Sequence, residues 1–397
     1  MHRANTGERA CLKRRLEDSD FPFHAIHGPL HWVEESAYAL TPDQVDRDLA
    51  SPSEELHRMC LEVVDRVVES DALMEKFSIP DHARDMVRES WKRGDPGIYG
   101  RFDLSYSGSG PAKLLEYNAD TPTTLFEGAM FQRDWLRDMI DEGRLPGDAS
   151  QFNTIHEQLV RRFRDLAPEN APFHFASFRD AVEEYATVEY LARCAREAGL
   201  DPIYTDVPDI GISDLGDFLD DQGRVMGAIF MLYPWEDMLR DEFCEFIPGS
   251  GCHFLEPAWK GILANKALLP QLWAQFEGHP NLLPAYFESD LQAGNGVAMR
   301  AQDHLDTGFV RKPLFGREGS GVEIHFPDGK ILHPEEGVDD AVARIVQAYA
   351  PLPDFEGDHP LVSTWMIGDN CAGMGVQEDT NLITGSMSRF RPHFVRA

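Results

Sequence analysis

The sequence is short of positive charge. Its 37 lysines and arginines stand against 68 aspartates and glutamates, a formal net charge of −31 over 397 residues. Such a chain repels the phosphates of nucleic acid, so no nucleic-acid partner is expected. The excess acid suits solubility and draws cations inward, although charge alone names no ligand. Long apolar runs are missing too. The best, 225–235, is about half of the roughly 20 residues that span a bilayer, so no membrane partner is expected. Arg3, Arg9, Lys13, Arg14 and Arg15 are not followed by the apolar core of a secretory signal. The six cysteines (Cys11, Cys60, Cys194, Cys244, Cys252, Cys371) are scattered, with no C-x-x-C pair. That pattern favours free thiols in a reducing compartment, the cytoplasm, over a disulfide frame or a zinc site. A G-x-G-x-x-G behind a strand, a G-x-x-x-x-G-K-[ST] loop, an internal repeat and a Ser-His-Asp or Cys-His signature are all absent.

What is present divides into three stretches. The N-terminal third reads mainly helical. Ser51-Pro52-Ser53-Glu54 has the form of a capping box, and Leu56, Met59, Cys60, Val63, Val64, Val67 and Val68 follow at helical spacing, as a core stripe does. Helices are also predicted over 132–140 and 155–166, the second opened by a capping box at Thr154 and Glu157. From about Phe173, strands (173–178, 202–207, 225–232) alternate with a helix over 182–198 closed by Gly199, a pattern that predicts a parallel sheet. The last third carries strand patterns at 309–314, 322–326, 330–333, 361–366 and 373–378 with glycine-rich turns, and predicts an antiparallel unit with a few helices.

Two constellations carry chemistry. The first is a hairpin of two flanks, 101–106 and 113–118, around Ser107-Gly108-Ser109-Gly110. Side chains alternate with period two, so Arg101 and Asp103 share one face, as do Glu116 and Asn118. Centred on Ser109-Gly110, the hairpin sets Asp103 opposite Glu116 and Arg101 opposite Asn118. Opposed carboxylates destabilise a sheet, and a divalent cation relieves them. Asp, Glu and Asn oxygens suit magnesium, which takes one or two carboxylates plus substrate phosphates. Arg101 would face the same phosphates. The alternative is a solvated hairpin face. Thr121 and Thr123, directly after the second strand, have hydroxyls suited to a bound carboxylate or peptide.

The second constellation is Lys266, Lys312 and the loop Gly316, Arg317, Glu318, Gly319, Ser320, Gly321. Backbone N–H groups of such a loop can cradle phosphate, and lysines add point charge. Each alone reads equally as a plain hairpin turn or a surface lysine. Gln347, before the Ala-Tyr-Ala-Pro segment, is a candidate amide for an adenine edge in a linker between two lobes, or an exposed helix-end glutamine.

The motifs YGRFD (99–103), LEYNADTPT (115–123), LYPWE (232–236), LEPAWK (255–260), NKALLP (265–270), NLLPAYF (281–287), Lys312-Pro313, GVQED (375–379) and MSRF (387–390) run in order over nearly the whole chain. On them the chain resembles the synthetase part of glutathionylspermidine synthase and its stand-alone homologues. The resemblance implies an α/β (α+β) chain with an ATP-grasp-type fold. A Rossmann-like pre-ATP-grasp α/β unit would precede it, with a helical N-terminal region. The units would be a helical region over 1–95, the hairpin and following helix over 96–150, the α/β unit over 151–255, and nucleotide-binding lobes over 256–397. It implies ATP and Mg2+ as cofactors, with the metal on Asp103, Glu116 and Asn118 and transition-state stabilisation by Arg101. Nucleotide contacts would come from Arg101, Phe102, Asp103, Lys266, Lys312, Gly316, Gly319, Ser320, Gly321 and Gln347. Substrate contacts would come from Thr121, Thr123 and Glu236.

The implied reaction joins a small-molecule or peptide carboxylate to an amine, a polyamine among them, through an acyl-phosphate. The amidase domain of the bifunctional enzyme has no counterpart here, so amide hydrolysis is not expected. Gln377 stands where relatives are expected to carry arginine. Two rivals are an ATP-binding sensor or partner module without turnover, which would not need Arg101, and a kinase that releases the acyl-phosphate.

Overall fold

A computed structural model describes residues 1–18, 31–166, 172–293, 296–333 and 342–396. The architecture is mixed α/β, built on four main sheets. Among the described residues no helix is long and apolar enough to cross a membrane, and all six cysteines are free.

The predicted apolar stripe is buried along the helix Ser51–Val68. Its start is a correction. Ser51 has helical backbone angles, and Ala50 in front of it makes no side-chain cap. The capping box lies ten residues earlier, where Thr41 N–H reaches Gln44 Oε1 at 3.0 Å and Gln44 N–H reaches Thr41 Oγ1 at 3.2 Å. A π-helical stretch, Gln44–Ala50, joins that cap to the α-helix. The wider turn sits directly before Pro52, whose ring would clash with a regular helix and which has no N–H to give. Glu54 instead accepts the Cys371 N–H. The Thr154 box is corrected as well: the Thr154 N–H and hydroxyl both go to the Ala372 carbonyl, and Glu157 pairs with Arg133.

The N-terminal third is less helical than expected. His2–Asn5 and Ser36–Leu40 are strands, joined by His393–Val395 in a three-stranded sheet that ties the two ends of the chain together. The partner lies more than 350 residues away, so no local pattern reveals it.

The predicted parallel sheet is present. Its order is His253–Leu255, Ala228–Met231, Phe173–Ser177, Pro202–Asp206, every pair parallel. The helix Val182–Glu197 makes the crossover, and Gly199 leaves it at φ +95, a conformation glycine adopts freely.

The last third is antiparallel but divides between two five-stranded sheets. One runs Ala285–Phe287, Arg344–Ala348, Phe309–Pro313, Glu323–His325, Ile331–Leu332. The other runs Arg389–Arg391, Asn370–Asp379, His359–Ile367, Tyr99–Ser105, Lys113–Asn118, and so takes in the early hairpin. The largest core cluster packs Val362, Met366, Met374 and Val376 of this sheet against the helix Ser51–Val68. One face of the hairpin sheet is thereby held by apolar burial, leaving the other for polar groups.

Candidate active site

The hairpin register is the one its turn predicts: Arg101 pairs with Asn118 and Asp103 with Glu116. A β-bulge follows directly, because Leu104 pairs with Leu114 and Leu115 is the extra residue. The next strand places Ser363 beside Asp103 and Trp365 beside Arg101.

Asp103 is buried and its oxygens are fully engaged. Arg101 grips it with Nε at 2.9 Å and Nη2 at 2.8 Å, Ser363 Oγ donates at 2.8 Å, and Asn118 Nδ2 donates at 2.8 Å. Burial pushes the Asp103 carboxyl up, and Arg101 opposes it. The remaining Arg101 nitrogen donates to the Thr123 carbonyl at 2.9 Å and the Thr124 hydroxyl at 3.3 Å. The guanidinium is therefore fixed at both ends.

Glu116 is held differently. Asn118 Nδ2 lies 3.3 Å from one oxygen and Lys266 Nζ 3.5 Å from the other. Burial would raise its carboxyl, but Lys266 and Lys312 outweigh burial and bring it down to about 2. Lys312 donates to the Leu115 carbonyl at 2.9 Å and to Gln347 Oε1 at 2.8 Å. Burial lowers its ammonium to about 8, against the pull of Glu116. The bulge that frees Leu115 from the ladder thus supplies an acceptor for this lysine.

Gln347 lies inside the strand Arg344–Ala348, 2% exposed. This corrects both placements expected for it, a linker and a helix end. Its amide donates to the Leu114 carbonyl at 3.0 Å. Lys266 donates to the Gly316 carbonyl at 2.7 Å, which brings the glycine loop to the same point. Gly316, Gly319 and Gly321 all have positive φ. At Gly319 an added Cβ would come within 2.6 Å of Ile383 and 3.0 Å of the Thr384 carbonyl, so the loop seats against 383–384 only as glycine.

Two cavities meet at Glu116 and Lys266. The larger, of about 430 Å3, reaches from Arg101 and Asp103 to Thr121, Thr123 and Glu236. The smaller, of about 110 Å3, is a slot lined by Lys312, Gln347, Ser320, Val310, Ile324 and Tyr349. The predicted residues are brought together with two exceptions. Phe102 points to the opposite face of its strand, fully buried and stacked on Tyr117 at 3.8 Å between ring centroids. Gly321 lines neither cavity and offers its carbonyl to Arg344 at 3.1 Å.

Among the described residues no three His, Cys, Asp or Glu side chains form a metal-binding cluster. The oxygen set at the hairpin is two carboxylates and one amide. Its chemistry fits a hard cation whose remaining ligands come from substrate phosphate and water. Asn118 presents nitrogen to both carboxylates here, and a flip of the amide would present oxygen.

Sequence reasoning missed several groups in the larger cavity, Glu183, Glu184 and His31 among them. Arg317 pairs with Glu184 at 3.1 Å, and His31 with Glu127 at 2.7 Å. Glu183 and Glu184 stand in the first turn of a correctly predicted helix, a signal that could have marked them. Gln377 also faces this cavity and donates to the Ser388 hydroxyl at 3.1 Å.

Comparison with known proteins places these residues in a family. The model described as "Glutathionylspermidine synthase preATP-grasp" matches residues 3–396. A putative acid–amine ligase of Haemophilus influenzae is 36% identical over 97% of both chains. Trypanothione synthetase of Crithidia fasciculata is 28% identical over 85% of this chain, and the bifunctional glutathionylspermidine synthetase/amidase of Escherichia coli is 25% identical over 90%. This chain spans only 53% and 59% of the length of those two relatives. The chain belongs to the glutathionylspermidine synthase preATP-grasp family, and it is an enzyme of the acid–amine ligase kind.

Proposed function

We propose that this ligase uses ATP and magnesium to activate a carboxylate as an acyl-phosphate and passes the acyl group to an amine, on an ATP-grasp fold. One observation carries the reading: Asp103, Glu116 and Asn118 converge with Lys266 and Lys312 where a narrow, partly apolar slot opens into a larger polar cavity.

The slot suits an adenine ring between Val310, Ile324 and Tyr349, with Gln347 and the strand backbone at its edge. Lys266 and Lys312 then lie along the phosphates, and the amides of Gly316 and Gly319 with the Ser320 hydroxyl close over them. Magnesium held by Asp103, Glu116 and Asn118 would neutralise phosphate charge during transfer. Arg101, fixed by Asp103 and Thr123, presents its guanidinium where charge develops on the transferring phosphoryl group and on the tetrahedral oxyanion. Thr121 and Thr123 hold the acid, and Glu236 the amine. No protein nucleophile is needed, because the acyl-phosphate is itself the activated species.

The relatives' names make a glutathione-like peptide the first candidate acid and a polyamine the first candidate amine. Residues 256–397 would supply the nucleotide lobes, 96–150 the metal hairpin, 151–255 the preceding α/β unit and 1–95 the packing region. The free thiols agree with a cytoplasmic site of action.

The test is ADP release from MgATP with a panel of acids (glutathione and other short peptides) and amines (diamines and polyamines), with products identified by mass. ADP release that needs both substrates and yields amide is the expected result. Tight nucleotide binding with no turnover across the panel would favour a sensor, and free acyl-phosphate as the end product would make the enzyme a kinase.

A further inference from the structure

We infer that Thr124 is a positioning residue for the ligase reaction, holding the Arg101 guanidinium in place from a left-handed turn at the cavity wall; the inference rests on the ligase reading above.

Four described residues other than glycine have positive φ: Ser78, Thr124, Glu318 and Glu356. Three of them sit where a left-handed residue is regular. Ser78 lies just past the end of the helix Asp71–Lys76, and its N–H returns to the Glu75 carbonyl at 2.8 Å. Glu356 and Gly357, both at positive φ, make the two-residue turn between Phe355 and Asp358, which exchange backbone hydrogen bonds. Glu318 and Gly319 make a second turn of that kind, closed by the Ser320 N–H on the Arg317 carbonyl at 2.9 Å.

Thr124, at φ +64, has no such setting. It precedes a helix instead of ending one. Helical backbone begins at Leu125, and the Gly128 N–H closes on the Thr124 carbonyl at 3.1 Å. The residue in front of a helix is ordinarily extended, and a threonine there turns its hydroxyl onto the N–H groups of the first turn. Thr124 does neither. A β-branched side chain is also poorly suited to the left-handed region, because its Cβ crowds the following carbonyl.

The hydroxyl goes to Arg101. Thr124 Oγ1 accepts from Arg101 Nη1 at 3.3 Å, and the Thr123 carbonyl accepts from the same nitrogen at 2.9 Å. The left-handed turn thus aims two consecutive acceptors at one guanidinium nitrogen, one for each of its hydrogens. Asp103 takes Nε and Nη2 at the other end, and the Trp365 ring centre lies 5.8 Å from the guanidinium carbon. Thr124 is buried and lines the larger cavity with Arg101. Strained residues of this kind persist where the surrounding structure over-determines them, and they cluster at active sites. Glycine would make the same turn without crowding. What threonine adds over glycine is the hydroxyl on Arg101. That contact bears on the chemical step, where the guanidinium meets developing charge, and not on nucleotide binding, which falls to the slot, Lys266 and Lys312.

The test compares Thr124→Ser, Thr124→Gly and Thr124→Ala with the unaltered enzyme, using MgATP and an acid–amine pair from the panel. Melting temperature, kcat and the KM for MgATP are measured for each. Thr124→Gly should melt above Thr124→Ala, the reverse of their usual order, because only glycine adopts the turn freely. Its kcat should nevertheless fall about tenfold, while the KM for MgATP stays within about twofold, as expected for a contact made in the transition state. Thr124→Ser keeps the hydroxyl and should recover most of that rate. The proposal is overturned if Thr124→Gly turns over at the unaltered rate, or if Thr124→Ser loses as much as Thr124→Gly. It is also overturned if Thr124→Gly melts below Thr124→Ala, or if the loss lies in KM with kcat unchanged. Absence of ADP release from the unaltered enzyme across the whole panel would instead overturn the ligase reading, and this one with it.

Discussion

Asp103 shows how much of the site rests on single contacts. Four hydrogen bonds from three side chains meet on one buried carboxylate, and two come from the residue it immobilises. Asp103→Asn removes the charge and leaves the Arg101 guanidinium buried without its partner. A broken buried pair of this kind costs about 3–5 kcal/mol. Ser363→Ala removes one neutral donor and should cost about 1 kcal/mol. Urea unfolding of the two variants beside the parent measures both; equal losses would mean that the Arg101–Asp103 pair is not the organising contact. Asp103→Asn should also abolish ADP release, because Arg101 then loses its fixed position. At Gly319, alanine must adopt φ +73 and displace Ile383. Gly319→Ala should weaken MgADP binding about tenfold by titration calorimetry, a loss of roughly 1.4 kcal/mol, while the melting temperature barely moves, since the substitution acts on one loop.

Among the elements, the helix that runs into Ser51–Val68 offers a direct choice between two identical signatures. Thr41-Pro42-Asp43-Gln44 and Ser51-Pro52-Ser53-Glu54 both have the spacing of a capping box. Only the first forms the reciprocal hydrogen bonds. Thr41→Ala should therefore lower stability by about 1 kcal/mol, whereas Ser51→Ala should change it by a few tenths. The reverse order in denaturant midpoints would contradict the observed cap. Strand pairing follows the same rule of local signal and distant choice. The hairpin register was legible because its turn is only a few residues long and alternation fixes which side chains share a face. Its place beside His359–Ile367 was not, because that partner lies some 260 residues on. Ser363 was missed for that reason, although its strand was foreseen.

At the scale of the whole molecule, the two ends of the chain close against each other and against the site sheet. Tyr38, Arg3 and Arg391 all bond to the buried Glu378, which stands in the strand Asn370–Asp379 next to Gln377. His393, in the C-terminal strand, makes stability depend on pH. Gln132 spends both amide hydrogens on the carbonyls of Gly128 and Met374, so its oxygen must accept from His393 Nδ1. The Phe152 N–H points at Nε2, so that nitrogen must stay unprotonated. Burial lowers the imidazole from 6.5 to about 3. Its folded pKa is thus below the unfolded one, and between the two the unfolded chain binds the extra proton. The contribution is fully present above 6.5 and is lost as pH falls toward 3, at about 1.4 kcal/mol per unit. His393→Asn should unfold more easily at pH 7, yet lose less stability than the parent between pH 6.5 and 4.5. Parallel pH profiles of the urea midpoint would show that His393 does not govern the acid limb.

The amino-acid order alone determined what short-range physics decides: helical and strand periods, glycine turns, the pairing of Asp103 with Glu116, and the motifs that mark the family. These rest on dihedral preference and alternation within a few residues. The tertiary structure decided what depends on distant partners. It chose between two capping boxes, seated Gln347 inside a strand against Lys312, and brought Glu183 and His31 to one cavity wall. Burial, and the fields of charges far apart in the chain, set those outcomes. Neither can be read from neighbours in sequence.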